Sequence, residues 1–356
     1  MTVPKFDEKE LKVIGEIPGF FGPGIPLFDS PVSMKDNFKK AVLEKKPVFQ
    51  LYGCEMQMTT PLVIPDSGCR ALAIEARRQD PATFGGKDMF DTDWVYVQVA
   101  GGSMVEPGKP RLEDANDWKD EIKMPDVDSW DWEGWWEANK EWVDPKRCYQ
   151  PCIFTGWYER LISFMDFEGA AVALIDDEQK EAVLELYDAI TDVYIKIMDK
   201  FLEYVNVEAV CVHDDWGSQR APFFSCDTAI EMMIPAMKKF TDYCHAKGII
   251  CEIHSCGMNE LLVPAYIAGG WDMWSPQPMN DTKKLFELYG DKIVIGVNDI
   301  PVVAPDATEE EQRAAAKEFV ETYCIPGKVC TLGFGMNVTP IMREEIYKLS
   351  RIAYAE

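Results

Sequence analysis

The amino-acid sequence predicts an α/β protein folded as an eight-stranded parallel (β/α)8 TIM barrel. Short runs rich in β-branched and aromatic residues alternate with longer amphipathic stretches, which is the pattern of repeated βα units. Eight such runs occur, the number that a closed barrel of this class needs. The length of 356 residues accommodates one barrel, and no low-complexity tract or flexible linker requires a division of it.

The expected strands and helices follow from these patterns. Strands are predicted at Val48–Tyr52, Trp94–Val99, Cys148–Phe154, Glu208–His213, Ile249–Ile253, Asp272–Trp274, Ile293–Val297 and Val329–Leu332. Helices are predicted at Cys69–Arg78, Asp177–Tyr204, Asp227–Lys247, Asn259–Ala268, Thr282–Tyr289, Thr308–Tyr323 and Pro340–Tyr354. Several of these helical segments begin with Asp, Asn or Thr as a cap, or with proline in the first turn, and such residues favour helix starts.

Two segments depart from the βα pattern. Residues 1–45 are predicted to form an N-terminal arm, rich in Gly and Pro between Ile17 and Pro31, and residues 46–356 a single barrel domain. The barrel carries an insertion at about 105–144, which is acidic, lacks clear periodicity and holds Trp118, Trp130, Trp132, Trp135, Trp136 and Trp142. We interpret the insertion as a flap over one end of the barrel, with a lid or a surface for a partner as the functional alternative.

The composition excludes several classes of partner. Lys and Arg total 36 against 61 Asp and Glu, so the formal net charge of -25 repels nucleic-acid backbones and anionic membrane surfaces alike. The first residues have neither the basic nor the apolar part of a secretory signal, and no stretch is apolar enough for a spanning helix. The 11 cysteines are therefore expected to be reduced thiols in a cytoplasmic protein, and an oligomer is compatible with the sequence.

A histidine and a cysteine two residues apart follow the predicted strand Ile249–Ile253. Residues two apart on a strand share a face, and at the C-terminal rim of a barrel that face looks into the active-site mouth, so His254 and Cys256 can hold one metal ion. Cys330 lies on the last predicted strand, whose end reaches the same mouth. One imidazole and two thiolates leave the fourth tetrahedral position open, which is typical of a catalytic zinc site.

This pattern and its surroundings resemble the corrinoid-dependent methyltransferases of the uroporphyrinogen decarboxylase superfamily. The His-x-Cys pair, followed later by Cys330, looks like the zinc signature of that branch, in which methylcobalamin:coenzyme M methyltransferases and the methyltransferases of O-demethylase systems are found. Val212–Gln219 resembles the superfamily's Asp-Asp-x-Gly-x-Gln stretch, and His254–Gly257 followed by Leu262–Pro264 resembles its His-Ser-Cys-Gly segment. The similarity runs from about Lys46 to the C-terminus.

The resemblance implies a TIM barrel of the uroporphyrinogen decarboxylase type with zinc bound by His254, Cys256 and Cys330. It also implies that a separate corrinoid protein carries the cobalamin. The decarboxylases themselves have an Arg-rich segment that holds substrate carboxylates, whereas this chain reads Lys46-Pro47-Val48-Phe49-Gln50-Leu51-Tyr52-Gly53 at the equivalent place. Because those arginines are missing, a metal-free lyase of the decarboxylase type is the weaker alternative.

Other residues near the predicted strand ends are candidates for the site. One of Asp214 and Asp215 is expected to orient substrate or a zinc-bound group and the other to cap a turn, and we assign Asp214, with His254, to catalysis. His213 is interpreted as structural, and Glu252 as a partner of the site or an interior polar group. The candidate substrate contacts are Tyr52, Trp216, Gln219 and Asn298.

Together these features predict a zinc-dependent methyltransferase that moves a methyl group between a small methylated compound and the cobalamin of its partner protein. Aromatic residues near the strand ends favour an O-methyl compound, for example a methoxyaromatic one, whereas charge cancellation by two thiolates favours a thiol as methyl acceptor. A non-catalytic barrel that uses its insertion for docking is a further alternative. Glu252–Gly257 nearly matches the D-x-H-x-x-G motif of cobalamin-binding domains, but without their Gly-rich surroundings a cobalamin of its own is not expected.

Overall fold

Parallel strands alternate with helices along most of the chain in the computed structural model, which describes residues 3–17, 24–99, 101–333 and 338–355. Two units are distinguished within it. The terminal unit comprises Met1–Met56, Pro145–Cys148 and Asp272–Glu356, and the central unit comprises Gln57–Asp144 and Tyr149–Trp271. Residues 18–23 of the predicted N-terminal arm lie outside the described residues.

The strands are β1 (Val13–Ile17), β2 (Ile25–Phe28), β3 (Met56–Thr59), β4 (Gly86–Lys87), β5 (Asp93–Val97), β6 (Gly102–Val105), β7 (Cys148–Ile153), β8 (Ala209–His213), β9 (Ile250–His254), β10 (Met273–Ser275), β11 (Val294–Val297) and β12 (Cys330–Leu332). The α-helices are α1 (Met34–Glu44), α2 (Pro65–Cys69), α3 (Trp118–Glu121), α4 (Trp132–Asn139), α5 (Trp157–Ala173), α6 (Lys180–Tyr204), α7 (Cys226–Met232), α8 (Ile234–Ala246), α9 (Val263–Ala268), α10 (Thr282–Tyr289), α11 (Glu309–Tyr323) and α12 (Pro340–Ala353). Short 3-10 helices lie at Glu8–Leu11, Pro81–Thr83, Ala115–Asp117, Val127–Ser129 and Glu260–Leu262.

In the central unit, β3, β7, β8 and β9 follow one another as neighbouring strands. β7, β8 and β9 are parallel, and nearly all of their residues are buried because helices cover such strands. The register pairs Cys211 with Glu252 and His213 with His254. β8 and β9 therefore end at the same level, and the residues that follow them lie side by side.

In the terminal unit, β10, β11 and β12 are parallel neighbours, with Ile295 opposite Cys330. The predicted strand Val48–Tyr52 is present only as a parallel bridge between Leu51 and Thr331. Helices α10, α11 and α12 are capped by Asp281, Thr308 and Thr339, whose side chains accept hydrogen bonds from the first helical turn. The alternation of strand and helix predicted for this part of the sequence is confirmed.

The predicted barrel strand Trp94–Val99 is wrong. β5 pairs antiparallel with β4 and β6 in a small three-stranded sheet of its own. β5 alternates between buried and exposed residues over its first half, for instance Trp94 and Val95, which suits a sheet with one solvated face. Six of the eight predicted strands are present as β7–β12, and Val48–Tyr52 is reduced to a bridge. β3, the neighbour of β7, was not predicted.

The Trp-rich insertion consists of short helices, including α3 and α4. Trp132 and Trp135 are buried, and each indole lies 5.2 Å from the ring of Phe201 in α6 in an edge-on arrangement. Asp128 forms ion pairs with Lys200, at 3.1 Å, and with Lys196 of the same helix. Aromatic packing on α6 therefore holds this segment, which explains why its tryptophans show no periodicity of their own.

α6 is the longest helix, with 25 residues, and its apolar residues repeat at helical spacing toward the core. Its exposed positions are charged. None of the helices in the described part of the chain combines the length and the apolar composition that a membrane crossing requires.

A buried ion pair joins the N-terminal 3-10 helix to α12 in the terminal unit. Arg351 donates to both carboxylate oxygens of Glu10 at 2.8 Å, and the Tyr347 hydroxyl donates to the same group at 2.7 Å. Burial alone would raise the pKa of Glu10, but these donors lower it below its ordinary value of 4.5. The pair therefore stabilises the folded state while Glu10 is charged.

We expect Glu10→Gln to lower the free energy of unfolding by about 2 kcal/mol at neutral pH. Because the folded-state pKa of Glu10 is lowered, its contribution is complete above the ordinary glutamate pKa and is lost as the pH falls through the folded value. Urea unfolding between pH 7 and pH 3 should show the free energies of unfolding of the wild type and Glu10→Gln converging as the pH falls. The control is Glu8→Gln, at an exposed pair with Lys348, and a Glu10→Gln difference independent of pH would contradict the prediction.

Candidate metal centre

Four side chains that can bind a metal converge in the central unit. His213, Asp215, His254 and Cys256 each offer one ligand atom, and these atoms all lie within 4.8 Å of one another. All four residues are half-buried. His213 and His254 end β8 and β9, and Asp215 and Cys256 follow two residues later. The two predicted ligands His254 and Cys256 are therefore together, joined by two side chains from the neighbouring strand end.

The pairing of β8 with β9 continues past the strands and fixes this arrangement. The amide of Asp214 donates to the carbonyl of His254 at 2.9 Å, and the amide of Cys256 donates to Oδ1 of Asp215 at 2.7 Å. Gly257 has a φ of +98°, and a Cβ there would lie 2.3 Å from the backbone of Gly217. Only glycine allows the two segments to approach so closely.

Two of the distances between ligand atoms match those of a tetrahedral zinc site. His254 Nε2 lies 3.4 Å from the sulfur of Cys256, and His213 Nε2 lies 3.6 Å from Oδ1 of Asp215. Zinc bonds of 2.0–2.3 Å in tetrahedral geometry place ligands roughly 3.3–3.7 Å apart. The mixture of imidazole, thiolate and carboxylate is also one that zinc accepts, so the residues present fit a zinc ion.

Glu159 and Arg70 lie on the Nδ1 side of His213, away from the other ligand atoms. Nδ1 of His213 lies 2.8 Å from the Glu159 carboxylate, and the Arg70 guanidinium pairs with the same carboxylate at 2.7 Å. Burial alone would raise the pKa of Glu159, but the charges of Arg70 and His213 lower it to about 2. For His213, burial alone would lower the pKa, and the carboxylates of Glu159 and Asp215 raise it well above the ordinary value.

Asp214, predicted to be catalytic, is fully buried and caps α5. Its carboxylate accepts hydrogen bonds from the amides of Tyr158 and Glu159, at 3.1 and 2.9 Å, and from the indole of Trp216 at 2.9 Å. Burial and the charge of Glu159 raise its pKa to about 7 against the effect of these donors. A Cβ at Gly156 would lie 2.3 Å from the Asp214 Cβ, so the glycine makes room for the cap.

The predicted substrate contacts of the central unit lie in two different environments. Trp216 is fully buried and packs its ring 5.3 Å from Phe224 and 5.1 Å from Tyr266. Gln219 is exposed in the turn after Gly217. Through this packing, Trp216 anchors the segment that carries Asp215 to the core.

The three remaining predicted site residues belong to the terminal unit. Tyr52 is buried, and its hydroxyl donates to the carbonyl of Arg343 at 3.0 Å. Asn298 is half-buried and donates through its side chain to the carbonyl of Pro276 at 3.0 Å. The Cys330 thiol accepts from Gln50 Nε2 at 3.6 Å.

Cys330 is 1% exposed and belongs to a core cluster with residues of α11 and α12, among them Phe319 and Ile346. Its side chain therefore faces the helices that cover β12. Burial raises the pKa of this thiol well above its ordinary value.

Sequence reasoning assigned His213 a structural role and Asp215 to a turn, and it did not single out Glu159 or Arg70. A signal for the first two exists: the neighbouring strand ends read His213-Asp214-Asp215 and His254-Ser255-Cys256. Potential ligands are two residues apart in both segments, and parallel neighbours that end level bring two such pairs together. The register that makes them level is visible only in the structure.

No family model and no curated protein sequence matches the chain. Among solved structures, it is similar to a methyltransferase from Methanosarcina mazei with a TM-score of 0.53 and 16% sequence identity, over 90% of this chain and 98% of that one. This likeness shows a shared α/β fold over nearly the whole chain.

Two lower-scoring matches are a group IV chitinase from Ostrinia furnacalis and a sugar phosphate isomerase/epimerase from Parabacteroides distasonis. The chitinase has a TM-score of 0.29 and 12% identity, over 79% of this chain and 65% of that one. The isomerase/epimerase has a TM-score of 0.25 and 11% identity, over 58% of this chain and 85% of that one. Scores this low support no argument about the present chain.

Proposed function

We propose that this protein is a zinc-dependent methyltransferase that moves a methyl group between a small O-methyl compound and the cobalamin of a separate corrinoid protein. The observation that carries the proposal is the cluster of His213, Asp215, His254 and Cys256 at two level strand ends. The fold shared with a protein described as a methyltransferase supports the reaction class. The sequence resemblance around His254 supports the corrinoid partner.

The reaction requires a metal site near the reacting methyl group. When bound, zinc supplies Lewis acidity, which holds a thiol as thiolate or polarises an ether oxygen. As ligands, His213, His254 and Cys256 would contribute two neutral imidazoles and one thiolate, hence a single negative charge. Asp215 is not counted as a ligand here, because its Oδ1 accepts the hydrogen bond of the Cys256 amide. This set leaves more positive charge at the site than one imidazole with two thiolates would, and that difference favours an ether over a thiol as substrate.

An aromatic wall next to the cluster supports a methoxyaromatic substrate. The half-buried ring of Phe154 lies 4.5 Å from the His213 imidazole at an angle of 30°. The Arg70 guanidinium lies 5.0 Å from the centre of that ring and 4.5 Å from the centre of the buried Trp94 ring. Phe154 thus places a half-buried aromatic ring beside the ligands, and a substrate ring can contact the part of it that is exposed.

The test combines elemental analysis with a methyl-transfer assay. The purified chain should contain zinc, and with free cob(I)alamin it should form methylcobalamin from methoxyarenes faster than from methanol or methylamines. Methylation of a thiol by methylcobalamin, without activity on ethers, would instead support the thiol methyltransferase. A zinc-free preparation that decarboxylates a porphyrinogen would overturn the proposal in favour of the lyase.

A further inference from the structure

Behind the candidate metal centre, a line of polar contacts leads from His213 to Glu159 and then to Arg70. The His213–Glu159 contact is 2.8 Å and the Glu159–Arg70 contact is 2.7 Å. The side chains of Glu159 and Arg70 are each 10% exposed. This pair differs from the other buried ion pairs of the described residues by its direct contact with a potential metal ligand, which points to a role in the site.

The contact with Glu159 fixes which nitrogen of His213 can bind a metal. A carboxylate only accepts hydrogen bonds, so Nδ1 of His213 must carry the proton. In the neutral ring, Nε2 then has a free lone pair, and Nε2 is the atom that lies 3.6 Å from Asp215 in the cluster. This is the arrangement in which a carboxylate orients a histidine that ligates a metal.

Besides its contact with His213, Glu159 is held in position by Asp214 and Arg70. It lies in the first turn of α5, where its amide donates to the buried Asp214 carboxylate at 2.9 Å. Arg70 pairs with its side chain and lies between the rings of Trp94 and Phe154, which restrict the guanidinium. The carboxylate of Glu159 therefore has a fixed place relative to His213.

Asp215 is held differently from His213. Its side chain is 31% exposed, against 13% for His213, and its Oδ1 accepts the hydrogen bond from the Cys256 amide. This carboxylate positions the segment that carries the thiolate. Of the two residues on the β8 side, His213 is the one whose lone pair is oriented by buried groups.

We propose that His213 is a protein ligand of the metal, and that Glu159 and Arg70 are positioning residues that hold its Nε2 toward His254 and Cys256. The inference depends on the zinc site proposed above. Removing the carboxylate that orients a ligating histidine typically weakens metal binding 10- to 100-fold. We expect an effect of this size at Glu159.

The test measures the zinc dissociation constant by competition with a chromophoric chelator. Glu159→Gln should weaken zinc binding about 10- to 100-fold. Glu168→Gln makes the same change at an exposed position beyond the kink of α5 at Asp166 and should bind zinc as the wild type does. The double variant Arg70→Met with Glu159→Gln removes both charges, so that no unpaired cation is buried if the single variant folds poorly.

A second measurement needs no substitution. Nitrogen-15 NMR of the wild-type protein should show a proton on Nδ1 of His213 both with and without zinc, and addition of zinc should shift its Nε2 resonance. A role limited to packing would leave Nε2 unmoved by zinc. Unchanged zinc affinity in folded Glu159→Gln, or an Nε2 signal that ignores zinc, would overturn the inference while zinc binding by the wild type stands. A wild-type chain that binds no zinc would overturn the proposed function as well.

Discussion

Cys256→Ser is expected to reduce the zinc content of the purified protein from stoichiometric to trace and to abolish methyl transfer. Cys256 supplies the only sulfur of the cluster, 3.4 Å from Nε2 of His254, and a serine hydroxyl remains protonated at neutral pH and binds zinc poorly. The residue is half-buried after the end of β9, so the change removes little core packing. Elemental analysis, circular dichroism and the cob(I)alamin assay on the same preparation would check all three expectations.

Cys330→Ser is the matched control for that experiment. It makes the same chemical change at the third ligand that the sequence resemblance implied, whose thiol lies against Gln50 in the core of the terminal unit. We expect this variant to keep its zinc. If Cys330→Ser lost zinc while remaining folded, and His213→Ala kept it, the ligand set predicted from the sequence would be correct and the one proposed here would be wrong.

Arg160→Met is expected to cost about 3–5 kcal/mol of unfolding free energy, the largest stability effect we predict. Arg160 is 0% exposed and pairs with Asp88 at 2.5 Å and with Asp66, both buried carboxylates. Asp88 also accepts a hydrogen bond from the Trp94 indole at 2.9 Å. Loss of the guanidinium leaves two carboxylates buried without a cation, and these carboxylates connect α2 and the segment before β5 to α5.

Urea unfolding followed by fluorescence would measure this effect. The control is Lys87→Met, which removes an exposed pair with Asp93 at 3.4 Å and should leave stability nearly unchanged. Adding Asp66→Asn and Asp88→Asn to Arg160→Met should recover part of the loss, because no uncompensated charge then remains buried. A loss below about 1 kcal/mol in the single variant would contradict the prediction.

The α/β class of the protein and most of its strands could be predicted from local patterns. Buried parallel strands such as β8 and β9 are short apolar runs between amphipathic helices, and this pattern depends only on nearby residues. β5 has the same local composition but pairs antiparallel with β4 and β6. Partner choice depends on residues distant in the chain, so composition alone could not distinguish it.

The candidate site was predicted only in part, because its local spacing can be read from the sequence but its contacts between distant segments cannot. The spacing of His254 and Cys256 places them on one face of a strand whatever their partners are. Asp214 and Asp215 are adjacent and chemically identical, yet one caps α5 and the other faces the cluster. Which aspartate caps the helix depends on where the first turn of α5 lies in the fold. The two adjacent aspartates in the sequence give no information about that position.

The sequence by itself determined the kinds of element and the pair of candidate ligands at the end of β9, because side-chain alternation and hydrophobic periodicity are properties of consecutive residues. Only the tertiary structure decided that His213 and Asp215 join that pair and that Cys330 faces the helices over β12. Register between strands and the packing of helices on a sheet arise from contacts between distant segments. A candidate metal site assembled from two strand ends therefore becomes recognisable only once those strands are paired.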